Sequence, residues 1–234
     1  FRPYFFHESK SYGLKPHEMS NETVFRNSRM VASGDEIILY DRGSFFVFNC
    51  QDNKWTDNSS LSDRVETSCS DLMTYQDSIF LIGGRTIESG NSKYDNGKFF
   101  EQYDKREGKW LRLPKMKYPH YVAASCVYND ILYVSGGSHL TYFKGFVETF
   151  DFKAGKWGLL ETSMIKPKMN HNLVAYDNQL WFFGGKNYKS KDYGFVPDLT
   201  WYSYHLEEHK WSDIFSVPEI CSDVKTREIL DVFL

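Results

Sequence analysis

Three short apolar runs, each ending in a double glycine, constrain this chain more than any other feature. They are Ile79-Phe80-Leu81-Ile82-Gly83-Gly84, Leu132-Tyr133-Val134-Ser135-Gly136-Gly137 and Leu180-Trp181-Phe182-Phe183-Gly184-Gly185. A polar pair precedes each run: Gln76-Asp77, Asn129-Asp130 and Asp177-Asn178. Another apolar or mixed run lies ahead of that pair, as at 122–128 and 172–176. After each double glycine come a loop, an aromatic segment (99–104, 147–151, 200–205), a charged turn and a tryptophan. A fourth copy, Ile37-Ile38-Leu39-Tyr40-Asp41-Arg42-Gly43, lies upstream and has lost the double glycine.

The tryptophans fall at Trp55, Trp110, Trp157 and Trp211, a period of roughly 50 residues that suits one four-stranded propeller blade. Such a sheet cannot bury both faces alone, so neighbours must pack against it around an axis. Gly83, Gly84, Gly136, Gly137, Gly184 and Gly185 are expected where backbones crowd, and the tryptophans between adjacent sheets. Aromatic residues make up 18% of the chain, which also favours half-buried pleated surfaces.

This arrangement resembles the kelch repeat from about Phe25 to Phe215. The resemblance implies an all-β, kelch-type β-propeller with four recognisable blades. It is read as one domain over 1–234, with repeats near 25–60, 66–115, 119–162 and 167–216. Kelch rings commonly hold five to seven blades, so residues 1–24 and 217–234 are expected to close the ring as a composite blade or to be irregular.

In kelch proteins like this one, two loop sets form a partner-binding face. One set follows the double glycines, here 85–98, 138–146 and 186–197, and carries Arg85, His139, Tyr142, Tyr188 and Tyr193. The other leads into the innermost strand, where many kelch repeats have Pro-Arg. The matching pairs here are Phe25-Arg26, Glu66-Thr67, Pro119-His120 and Pro167-Lys168. The expected protein-binding rim is therefore Arg26, Arg85, His120, His139, Tyr142, Lys168, Tyr188 and Tyr193, with Glu66 and Glu88 nearby. Tyrosine and arginine suit such a role, since both are favoured interface anchors. Asn170-His171-Asn172 is read as satisfying backbone groups where an inner strand begins.

Little points to chemistry. The seven histidines form no metal-binding spacing, and neither a nucleophile elbow nor a phosphate loop occurs. No catalytic residue, metal or cofactor is expected. A galactose-oxidase-like copper enzyme, the enzymatic relative among kelch folds, needs a larger domain. A net charge of −3 predicts no general affinity for nucleic acid, and no apolar run suggests a membrane span. Cys50, Cys69, Cys126 and Cys221 are too widely spaced for a zinc module and are read as reduced thiols, which favours the cytoplasm or nucleus. Two sequons, at Asn21 and Asn58, weigh slightly the other way. The resemblance extends to BTB–kelch proteins. It implies a substrate-recognition module of a cullin-RING ubiquitin ligase, reaching the cullin only through a BTB domain absent from this chain. An actin-associated scaffold is the alternative.

Overall fold

The computed structural model describes residues 4–7, 10–13, 28–41, 43–59, 67–68, 70–86, 97–139, 142–143, 145–190 and 194–216. Strands β1 (Tyr4–His7) and β2 (Lys10–Gly13) pair as a two-stranded ribbon. The first blade holds β3 (Arg29–Ser33), β4 (Glu36–Asp41), β5 (Ser44–Asn49) and β6 (Lys54–Asp57). β7 (Thr67–Ser68) precedes the second blade, which holds β8 (Asp71–Tyr75) and β9 (Ser78–Ile82). After β10 (Arg85–Thr86) come its outer strands β11 (Phe100–Asp104) and β12 (Lys109–Arg112).

The third blade begins with β13 (Ala124–Tyr128) and β14 (Ile131–Ser135). It continues past the ribbon of β15 (Ser138–His139) and β16 (Tyr142–Phe143) to β17 (Val147–Asp151) and β18 (Lys156–Leu159). The fourth begins with β19 (Asn172–Tyr176) and β20 (Gln179–Phe183). After the ribbon of β21 (Lys186–Ser190) and β22 (Gly194–Pro197) it is completed by β23 (Thr200–His205) and β24 (Lys210–Trp211), with β25 (Phe215–Ser216) also on β23.

All pairings are antiparallel, and the innermost strands β3, β8, β13 and β19 lie side by side in that order. Among the described residues the core is three apolar layers, one in each gap between adjacent blades. Each repeat marker has a visible job in these layers. Phe48, Tyr103, Phe150 and Tyr204 pair in register with Trp55, Trp110, Trp157 and Trp211. Trp157 then reaches the preceding blade, with its ring 5.2 Å from Phe100 and its indole N–H donating to Pro114 O at 2.6 Å. Trp211 does the same at the next gap, donating to Thr162 Oγ1.

The residue after each aromatic closes the outer turn. Asp151 Oδ1 accepts from the backbone of Lys153 and Ala154, and Asp104 and Asn49 do the same one and two blades upstream. A side-chain acceptor two residues ahead of the amides it satisfies fixes such a turn. In the fourth blade His205 Nδ1 takes this part, accepting from Glu208 N.

The glycines are needed where the next blade's lead-in passes. A Cβ on Gly83 would strike the carbonyl oxygen of His120, and one on Gly136 would strike that of Lys168. All six double-glycine residues have positive φ. In the first blade Asp41 pairs directly with Ser44 across Arg42-Gly43. A tight turn thus replaces both the double glycine and the long loop. The composite closing blade would require 217–234, which lie outside the described residues.

Candidate protein-binding face

The turns at 34–35, 76–77, 129–130 and 177–178 and the outer turns all lie at one end of the blades, while the segments after the double glycines lie at the other. At that second end the expected loops are organised as short ribbons. β10 pairs back onto β7, with Arg85 opposite Ser68. β15 pairs with β16, placing His139 opposite Tyr142. β21 pairs with β22, placing Tyr188 opposite Phe195. The structure therefore brings Arg85, His139, Tyr142 and Tyr188 to one face, and Arg85 is exposed. Arg26, Tyr193, Glu66 and Glu88 lie outside the described residues.

His120 and Lys168 do not belong to the exposed rim: both are buried, at 1% and 0% exposure. His120 Nδ1 faces Gly136 O at 2.9 Å, and Nε2 faces Glu148 Oε1 at 3.1 Å. Both partners are oxygens able to accept from the ring. Glu148 also accepts from Lys117 N and Tyr118 N, which satisfies its buried carboxylate. The carbonyl of His120 itself accepts from Gly84 N. One residue thus ties the second blade's double glycine to the third blade's third strand.

Lys168 repeats this role one blade on. Its carbonyl accepts from Gly137 N, and its Nζ donates to Thr200 O at 2.6 Å and lies 4.8 Å from the Tyr202 ring centre. Burial pushes its pKa down to about 8, against the pull of Asp198 and with the help of Lys166. Burial alone would raise Asp198, but hydrogen bonds from Thr200, with Lys168 and Lys166 nearby, hold it below the usual carboxylate range.

His171 bonds a side chain rather than backbone: its Nε2 and Ser135 Oγ are 2.8 Å apart. Burial, with Lys168 beside it, pushes its pKa down to about 3, so it is neutral. A hydroxyl against an imidazole is the geometry of an activated nucleophile, but a third group must orient the base. Here Ser135 is fully buried, and His171 Nδ1 has no hydrogen-bond partner among the described residues. The pair serves packing between the third and fourth blades.

Beneath the ribbons, a polar belt runs along the innermost strands. Arg29 Nε lies 3.3 Å from Asp71 Oδ1, Ser125 Oγ donates to Asp71 Oδ2 at 2.6 Å, and Arg29 Nη2 reaches Asn170 Oδ1 at 3.5 Å. The last contact joins the first blade to the segment leading into the fourth. Neither the belt nor the pairing of Glu148 with His120 and of Asp198 with Lys166 was legible, because these partners lie 28 to 141 positions apart.

No family model matches the sequence. Among curated proteins, Kelch repeat protein C2 of Vaccinia virus (strain Western Reserve) is 27% identical over 212 residues, covering 87% of this chain and 37% of that protein. Kelch-like protein 41 of Mus musculus is 24% identical over 135 residues, covering 55% of this chain and 21% of that protein. The solved structure of YjhT superposes with a TM-score of 0.66 at 14% identity, over 83% of this chain and 66% of that one, a likeness of fold alone. The repeat markers, the four-bladed register and these relatives agree. The chain is a kelch-repeat β-propeller. Its ribbons stand on rigid blades, the setting in which loops commonly carry function. It spans little more than a third, or less, of the length of the curated relatives it matches.

Proposed function

We propose that this kelch domain is the substrate-recognition module of a BTB–kelch adaptor for a cullin-RING ubiquitin ligase, acting in the cytoplasm. It binds its target protein through the ribbon face and carries out no catalysis. The observation that carries this reading is the common placement of Arg85, His139, Tyr142 and Tyr188 on the segments after successive double glycines. Similarity to Kelch-like proteins 41 and 40a supports it.

The test is affinity purification of the full-length protein, with and without Arg85→Ala, Tyr142→Ala and Tyr188→Ala together. A cullin should co-purify with both forms, and the target protein only with the unmodified one. Recovery of filament proteins and no cullin would overturn the ligase reading in favour of a cytoskeletal scaffold.

A further inference from the structure

A cavity of about 280 Å³ lies between the first and second blades, at the end opposite the ribbons. It is lined on one side by Ile38, Val47, Ile79 and Tyr103 and otherwise by polar and charged side chains, Asn49, Thr56 and Asn58 with Glu36, Asp52, Lys54 and Lys105. Comparison with the other two gaps shows why it is open. Between the second and third blades, Phe152 stacks on Tyr75 at 4.2 Å and packs against Phe80 at 5.3 Å. Tyr75 also donates to Asp130 in the third blade's inner turn. Between the third and fourth blades, Tyr128, Tyr133 and Leu206 fill the same space, and Tyr128 Oη accepts from Asn178 N in the fourth blade's inner turn.

The strand registers fix the equivalent positions in the first gap. Ser33 stands where those blades have Tyr75 and Tyr128, since each is the last residue of an innermost strand. Ile38 stands for Phe80 and Tyr133, one residue past the partner of the repeat aromatic. Lys105 stands for Phe152 and Leu206, next after the turn-closing residue. Three large side chains are therefore replaced by Ser, Ile and Lys. Lys105 Nζ lies 3.4 Å from Ser33 Oγ where two rings stack one gap on, and it pairs with Glu36 at 2.9 Å.

We infer that this gap is a receptor for one aromatic side chain, a tyrosine or phenylalanine, presented by a partner protein. The occupant is specified by what the molecule itself places in the two sister gaps. One side of the cavity is apolar, the polar side chains of Asn49, Thr56 and Asn58 complete the lining, and the charged groups around it carry both signs. A neutral ring therefore suits it better than an ion. Aromatic anchors seated in such pockets carry much of the energy of protein interfaces. The site is on the far end from the ribbons, so it does not depend on the ribbon-face reading.

N-acetyl-L-tyrosinamide serves as the probe, followed by amide chemical shifts of the isotopically labelled chain, with N-acetyl-L-alaninamide as control. Saturable shifts at Ile38, Val47 and Ile79 are expected with the tyrosine probe only. Lys105→Phe supplies the ring that the sister gap already holds, and should weaken the probe by roughly tenfold or more, or about 1.4 kcal/mol, while the rest of the spectrum keeps its native dispersion. Tyr142→Ala, at the other end, should leave the shifts intact. Absence of saturable shifts in the unmodified chain, or undiminished binding in Lys105→Phe, overturns the inference.

Discussion

His171 refuses a proton that it would accept in an unfolded chain. Burial, then the nearby Lys168, take its pKa to about 3 from an ordinary 6.5. Between those values the unfolded state binds more protons than the native one, so stability falls as pH drops through that window. His171→Gln removes this contribution. In urea titrations the unmodified chain should lose more stability than His171→Gln between about pH 7 and about pH 4.5, and equal losses would mean that the ring is not held neutral. His120 makes a different prediction, because it is half of a buried pair. His120→Ala removes the buried ring and its hydrogen bonds to Gly136 O and Glu148 and should cost ~1–3 kcal/mol, read as a shift in denaturant midpoint. A solvated surface cation would show almost no loss. The burial of His120 and Lys168 was not legible in the sequence. A cation beside a proline in a loop is ordinarily solvated, and the groups that bury these two, Glu148 and Thr200, lie on other strands.

The double glycines and tryptophans were legible because each serves a need that recurs at every blade. A positive φ at a strand end excludes most side chains, and a large ring between sheets demands a fixed place in the repeat. The structure nonetheless separates glycines that look alike. A Cβ at Gly136 would meet the Lys168 carbonyl, whereas one at Gly184 would meet no atom of the described residues within 4 Å beyond its chain neighbours. Gly184→Ala should therefore cost only the backbone strain of its positive φ, about 1–2 kcal/mol. Gly136→Ala should cost clearly more, since it must also move the lead-in to the fourth blade. Paired thermal melts decide this, and equal shifts would contradict the close approach. Trp157→Ala should cost about 3 kcal/mol, the low end for a large aromatic, because Trp157 is half-buried. The missing ribbon of the first blade was foreshadowed by Asp41-Arg42-Gly43, but the tight pairing of Asp41 with Ser44 that replaces it was not.

At the scale of the whole molecule, the blades do two separate things at their two ends. One end raises ribbons from three blades above a polar belt in which Arg29 spans from the first blade to Asn170. The other end is made of short turns, interrupted by the cavity of the first gap. The all-β repeat architecture was readable from the recurring double-glycine runs, aromatic segments and tryptophans, whereas this difference between ends appears only once strand registers show which residues are equivalent. The central claim is that the ribbon end is the target-binding end. Site-specific photo-cross-linking in cells tests it most directly, with the cross-linker placed in the full-length protein at Tyr142, at Tyr188 or, on the opposite end, at Lys153. The account predicts that one and the same protein is trapped from Tyr142 and Tyr188 and not from Lys153. Trapping from Lys153 alone would contradict it.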